Sequence, residues 1–447
     1  MRILWQSQDP ALIGPYGSRG EGSTLPFDVP SESTGSPIFA RVSPGDAWPR
    51  GVPAIDRLVA LPPLAGDRVV PGADVILWCE TGVGSRLPVC TRADDAILWS
   101  VDPRAWVRDL LTERYVTTWT RPITSRVPFV NYSLLPHPVK GLLSRLQSPD
   151  SWNRSNPIAF PLLPFDDLVE RIRRLCATLA AGSLAELVDV WPEGRRAAFT
   201  LTHDVDSHWI LDPPQRPLLR RIVEAETSLG FRGAWYVVAR QLDMRRHAEA
   251  IALIRAAGHE IGPHGWNHDS RLNYLSRRRQ EARMERIRER FAERPAGMRT
   301  PWYARSPQLF EVLAHHFDYD SSVPNSSSFF SAVSNSGSCT VFPYRPTEGL
   351  LELPMTLPPD TAAPVPAVYE MLEPICERIV ECGGVVVVTL HPQPHQSANR
   401  AGIDHYVAFL ERMADRYRNR IWRATPSDIV GRYRSVLESL ARRADAP

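Results

Sequence analysis

Residues 197–206 read AAFTLTHDVD, an apolar run that ends in two carboxylates, Asp204 and Asp206, on either side of Val205. Six residues of this composition read as a buried strand. Carboxylates at its exit can meet side chains from neighbouring strand ends. The same alternation continues downstream. Strands are expected at 233–239 (GAWYVVA) and 259–262, with helices at 218–228 and 246–257. A long helix is expected over 272–293, then a strand into Arg299 and a helix at 307–315. Strands follow at 350–354, 385–390 and 421–424. This order predicts an α/β fold with a mainly parallel sheet. Seven or so strand and helix pairs fit a distorted (β/α)7 barrel over residues 196–440, in which reactive groups collect at the C-terminal strand ends.

Upstream the pattern is weaker. Residues 1–195 are expected to form a smaller α/β region with Pro-rich arms. Strands are expected at 73–78 and 96–101, a short helix at 105–113, and helical spacing over 162–187. Residues 1–60 are rich in Pro, Gly and Ser and permit no element assignment. The turn Trp191-Pro192-Glu193-Gly194 marks the boundary. Pro-rich loops at 136–139 and 153–164 are expected to pack against the barrel and cover part of its mouth.

With 447 residues, 43% hydrophobic and 23% charged, the chain can bury two or three domain cores. Its 52 basic and 50 acidic residues leave a net charge of +2, and Lys140 is its only lysine. No strong field steers it to polyanions, so nucleic acid is not an expected partner. The Arg-rich stretch 271–294 carries Glu281, Glu285, Glu289 and Glu293 at helical spacing and reads as a solvated helix face. Six cysteines are scattered without metal-knuckle spacing, which fits a reducing compartment. The first dozen residues form no signal-type apolar run, and no segment reaches the ~18–20 apolar residues of a membrane span. A cytoplasmic protein with no membrane span is the expectation.

His264 and His268 stand four apart after a strand, within reach of one metal ion. Together with one carboxylate, Asp206 or Asp204, they leave a tetrahedral cation a position for water. The other carboxylate is then left to take a proton. Arg299, held before Pro301-Trp302, can orient a carboxylate by bidentate contact. His391 ends the run VVVVTL and can give a proton to a leaving amine. His315, His316, His395 and His405 lack such settings and are read as structural.

Five segments in order, THDVD (202–206), HGWNH (264–268), MRTPW (298–302), YDSS (319–322) and LHP (390–392), resemble the motifs of the NodB-like polysaccharide deacetylases, carbohydrate esterase family 4. The resemblance spans roughly 196–440. It implies Asp204 as catalytic base and Asp206, His264 and His268 as ligands of one divalent metal, Zn2+ first, with Co2+, Mn2+ or Ni2+ as alternatives. It also implies Arg299 as orienter of the base, and a backbone N–H at Trp302, after Pro301, for the oxyanion. Asp320 would tune His391, the general acid. The activity implied is removal of an N-acetyl group from an N-acetylated sugar, polysaccharide or glycan intermediate. Two departures matter. HDVD stands where polysaccharide-active members often carry FDDG, a form similar to small-substrate amidohydrolases of this fold, and Pro324 replaces a groove-lining Trp. Hydrolysis of a small cyclic amide or imide, allantoinase-like, is therefore the alternative, and a non-catalytic carbohydrate-binding scaffold the second.

Overall fold

In the computed structural model of the protein, the described residues are 16–17, 27–28, 38–64, 73–80, 86–93, 96–116, 160–269, 271–326 and 336–444. The loop at 136–139, and 153–159 of the second Pro-rich loop, lie outside them.

Among the described residues, the main sheet of the N-terminal region has six strands: β1 (Phe27–Asp28), β2 (Ile38–Pro44), β3 (Arg57–Leu61), β4 (Asp74–Glu80), β5 (Arg86–Ala93) and β6 (Ala96–Trp99). They pair in the order β1-β6-β5-β4-β2-β3, antiparallel except β1 with β6. The region is thus richer in strands than expected. Three of these strands, β1, β2 and most of β3, fall within residues 1–60, where composition permitted no element assignment. The Pro and Gly residues flanking β2 and β3 sit in the turns, and β2 pairs with both β3 and β4. Helix α1 (Pro103–Leu111) starts with Pro at its first turn behind the Asp102 cap, as a helix N-terminus favours. It buries Trp106, Val107, Leu110 and Leu111, and the Trp106 indole donates to Ala60 O of β3 at 2.7 Å.

Helix α2 (Leu168–Ala181) leads to the site region. There β7 (Ala197–Val205) is buried at all nine positions, as an inner strand covered on both faces must be. β8 (Gly233–Val237), β9 (Glu260–Pro263) and β14 (Val385–Leu390) pair with it in the parallel order β9-β8-β7-β14. β15 (Ile421–Arg423) lies parallel to the start of β7. A second sheet has the order β10-β11-β13-β12, from β10 (Gly297–Met298), β11 (Tyr319–Asp320), β12 (Tyr344–Thr347) and β13 (Leu350–Glu352). The layering helices are α3 (Arg216–Ser228), α4 (Ala248–Ala256), α5 (Arg277–Arg288), α6 (Pro307–His316), α7 (Ala367–Cys382), α8 (Arg400–Arg416) and α9 (Pro426–Ala444).

The α/β class is met, but among the described residues the strands form two sheets and not one hydrogen-bonded ring of seven. Strand length is the reason. β10 and β11 have two residues each, and a single backbone bond, Arg299 N to Pro263 O at 3.2 Å, links the exits of β9 and β10. Gly297 is required there, because a Cβ would come within 2.2 Å of the Tyr319 ring. The helix expected over 272–293 is shorter and follows a turn at Leu272–Tyr274; its Gln280, Met284 and Ile287 face inward while most arginines are exposed. All six cysteines are free thiols.

The two regions share a packed boundary. Cys339 and Tyr344 belong to the same apolar cluster as Trp99, Trp106 and Leu168. Asn325 donates to Asp166 O at 2.6 Å and to Thr340 O at 2.8 Å. Arg57 pairs with fully buried Asp166.

Candidate active site

Strand alternation decides which side chains meet. Asp204 and Asp206 point to one face, so His203 between β7 neighbours points to the other. It bonds Glu226 at 2.8 Å and stacks on Trp235 at 3.9 Å. The register sets Asp204 opposite Tyr236 and His203 opposite Leu390, which brings the exits of β7 and β14 level. His391 therefore arrives beside the two carboxylates.

One side of the site is a cluster of three donors. Asp206, His264 and His268 each offer an atom, all within 4.8 Å of one another, and all three are buried. His264 Nε2 is 3.4 Å and His268 Nε2 3.0 Å from Asp206 Oδ1. That oxygen accepts no hydrogen bond although it is buried. Three donors bound at ~2.0–2.1 Å around a tetrahedral cation would lie about 3.3 Å apart, so the spacing fits a metal with an open position. His264 Nδ1 lies 3.0 Å from Arg299 O, an acceptor only, so Nδ1 donates there and Nε2 is the nitrogen turned to Asp206. Gln393 donates to Asp206 Oδ2 at 3.0 Å, leaving Oδ1 to the imidazoles. Burial alone would raise the Asp206 pKa, but the charge of His268, the close approach of the His264 and His268 imidazoles and, last, the charge of His391 outweigh it and hold the carboxyl well below its usual range.

The other side can move protons. Arg299, fully buried, donates from Nη1 to Asp204 Oδ1 at 3.0 Å and to Thr202 Oγ1 at 2.8 Å. Its Nε and Nη2 are fixed by Ser321 O at 2.6 Å and Ser321 Oγ at 2.8 Å. Burial works against the guanidinium, and Asp204 restores and raises its pKa. His391 donates from Nδ1 to Asp360 Oδ1 at 2.7 Å, which turns Nε2 to the site, 3.9 Å from Asp204 Oδ2. Ser397 Oγ and the His391 backbone N–H hold the second Asp360 oxygen at 2.6 and 2.9 Å. Burial would depress the His391 imidazolium, yet Asp360, Asp206 and Asp204 push it up to about 9.

Asp320 was expected to tune His391; the residue on its Nδ1 is Asp360. Asp360 N bonds Thr389 O at 3.0 Å beside β14, whereas Asp320 lies in β11 of the second sheet. There it accepts from Ser322 Oγ at 2.8 Å, and burial pushes it up to about 6; burial and the Asp320 charge likewise push Glu352 well above the usual carboxylate range. Ser322 in turn accepts from Thr300 N at 2.8 Å, so Asp320 supports the entrance of the 301–305 loop. Pro301 and Trp302 are next to the donor cluster. A Cβ on Gly265 (φ +71) would meet Pro301 at 2.8 Å, and the Trp302 ring centroid is 5.6 Å from that of His268. Trp302 (φ 57) and Tyr303 (φ 53) are both left-handed without being glycine. Such residues cost on the order of 1–3 kcal/mol each and persist only where surroundings enforce them.

Sequence reasoning missed Asp360, Gln393, Thr202, Thr389, Ser321 and buried Tyr303. Gln393 and Thr202 lie inside or next to quoted motifs and were within reach; Asp360 follows Pro358-Pro359 with no strand to flag it. A cavity of about 570 Å³ lies elsewhere, among residues such as Arg171, Arg174 and Glu381, and touches none of these groups.

Residues 196–313 match the polysaccharide deacetylase family model, the segment that carries the first three of the five motifs. No curated protein matches the chain significantly. Among solved structures, a Mycobacterium smegmatis protein assigned as a polysaccharide deacetylase is 21% identical, covers 55% of this chain and 93% of its own, and has a TM-score of 0.44. An allantoinase is 16% identical over 55% of this chain and 92% of its own, with a TM-score of 0.42. A family 4 carbohydrate esterase from Streptomyces lividans, in complex with acetate, is 13% identical over 50% and 91%, with a TM-score of 0.33. Similarity at this level carries no argument about activity. Among the described residues no helix is long and apolar enough to cross a membrane.

Proposed function

We propose that the chain is a metal-dependent hydrolase that removes an N-acyl group, with an N-acetylated sugar, polysaccharide or glycan intermediate as substrate. The observation that carries this reading is the pairing of a buried three-donor cluster with a buried base and acid within one strand-end site. Asp206, His264 and His268 would hold a divalent cation, Zn2+ first. Bound there, such an ion lowers the pKa of water and polarises a carbonyl.

Asp204, oriented by Arg299, takes the proton of the attacking water. The Trp302 N–H, behind Pro301, faces the developing oxyanion; removing one such donor typically costs about 3–4 kcal/mol. His391, kept cationic by Asp360, protonates the departing nitrogen. Asp320 supports the loop from beneath. A distorted barrel left open between its two sheets, and the division at residue 195, belong to the same reading.

The test is metal content together with acetate release from N-acetylglucosamine oligomers, on wild type and His264→Ala side by side. Stoichiometric metal and acetate release, both lost in the variant, are expected. Metal without acetate, but with ring opening of allantoin, would move the substrate to small cyclic amides. Absence of both metal and turnover in the wild type would sink the reading.

A further inference from the structure

Among the described residues, the N-terminal region reaches the 301–305 loop through a buried ion pair. Glu113 follows α1 and is itself left-handed, at φ 54. Its carboxylate takes Arg305 in a fork, Nε to Oε2 at 2.6 Å and Nη2 to Oε1 at 2.7 Å. Ser336 Oγ donates to the same Oε1 at 2.6 Å. Neither partner is open to solvent: Arg305 is 0% and Glu113 3% exposed. The remaining guanidinium nitrogen, Nη1, donates to Tyr303 O at 3.0 Å. Nearby, Tyr115 donates to Gly337 O at 2.6 Å and accepts from Gly337 N at 2.9 Å, so α1 and the chain at 336–337 are locked together.

The consequence lies two residues upstream. Arg305 holds the carbonyl of the second of the two left-handed residues, Trp302 and Tyr303. Strained backbone of this kind relaxes when its anchor is lost. Surface ion pairs do little, but a desolvated, forked Arg–Glu pair fixes geometry because breaking it strands a buried charge.

We infer that Glu113 is a positioning residue: acting through Arg305, it holds the 301–305 loop, and with it the oxyanion-side backbone, in the geometry the site uses. The N-terminal region thereby completes the site without contributing a group to it. The kinetic part of this inference rests on the hydrolase reading above; the structural part does not.

The experiment uses the full chain, as wild type, Glu113→Gln and the double variant Glu113→Leu/Arg305→Met. Amide hydrogen exchange is read on peptides covering 300–305 and 264–268, alongside metal content, melting temperature, and kcat and KM for acetate release. In Glu113→Gln, exchange at 300–305 should rise at least about tenfold with 264–268 unchanged. kcat should fall ~10–100-fold at unchanged KM and metal content, the effect of a misplacement of about 1 Å. The double variant replaces the pair by apolar side chains, so it should regain melting temperature, and it should fold even if the single variant does not. It still lacks the bond to Tyr303 O, so its loop exchange should stay fast and its kcat low. Unchanged exchange at 300–305 in both variants, or recovery of kcat together with stability in the double variant, overturns the inference. If the wild type releases no acetate, the hydrolase reading fails, and the exchange measurement alone decides the positioning role.

Discussion

The site has two sides, and they treat a buried carboxylate in opposite ways. On the donor side Asp206 keeps one oxygen outside any hydrogen bond, facing two imidazole nitrogens at 3.4 and 3.0 Å. On the proton-transfer side Asp204 meets a guanidinium at 3.0 Å, itself held by Thr202, Thr389 and Ser321. Two residues apart at the exit of one strand, the pair share burial and backbone. Their neighbours alone divide the work: an oxygen without a hydrogen bond attracts a cation, and one held by a single guanidinium nitrogen, where a bidentate contact was expected, is oriented toward a proton.

The sharpest way to break this division is Asp204→Asn. It keeps shape and leaves the donor cluster alone, so metal content should match wild type while kcat falls about 10³-fold or more, the range of a general base. Metal loss in this variant would mean that both carboxylates serve the cation. A smaller effect is expected at Asp360. Asp360→Asn removes the charge that keeps His391 cationic, so kcat should drop ~10²-fold, with metal again retained and the alkaline limb of the pH profile moved to lower pH. An unmoved limb would leave His391 without the role given to it. Smaller still is Gln393→Ala, which frees Asp206 Oδ2. Metal affinity should weaken ~10-fold, measured by competition with a chelating dye, with kcat at saturating metal close to wild type. Equal affinity would show that the imidazoles fix Asp206 unaided.

How far this could be read beforehand depends on what marks a residue. Asp204, Asp206, His264 and His391 each follow an apolar run, and a polar residue at such an exit stands out in one dimension. The α/β class and most helices were legible for the same reason. Asp360 was not, because it follows two prolines and reaches His391 only through the fold. The two sheets in place of a closed ring were hidden too, since two-residue strands such as β10 carry no period. In the N-terminal region β2 contains Arg41 and ends at Pro44, so its pairing between β3 and β4 comes from tertiary contact and not from its own pattern.

If neighbours and not burial decide a carboxylate's state, a buried acid far from the site should behave in the reverse way to Asp206, and Glu170 supplies the case. It lies in α2 and accepts a hydrogen bond from Thr340 Oγ1. Desolvation outweighs that bond and the charge of Arg173, pushing it up to about 8. Its folded pKa is thus above the unfolded value. The folded chain keeps the proton where the unfolded chain releases it, so the contribution is favourable below about pH 4.5 and is lost as pH rises toward 8. Glu170→Gln keeps the shape and removes the titration. The variant should melt close to wild type at pH 5 and be more stable by about 1–2 kcal/mol at pH 8, a difference discounted for relaxation around the charge. Thermal unfolding at the two pH values measures it. An equal offset at both would mean that Arg173 neutralises Glu170 in the fold, and that this acid, like Asp206, is held ionised by its neighbours.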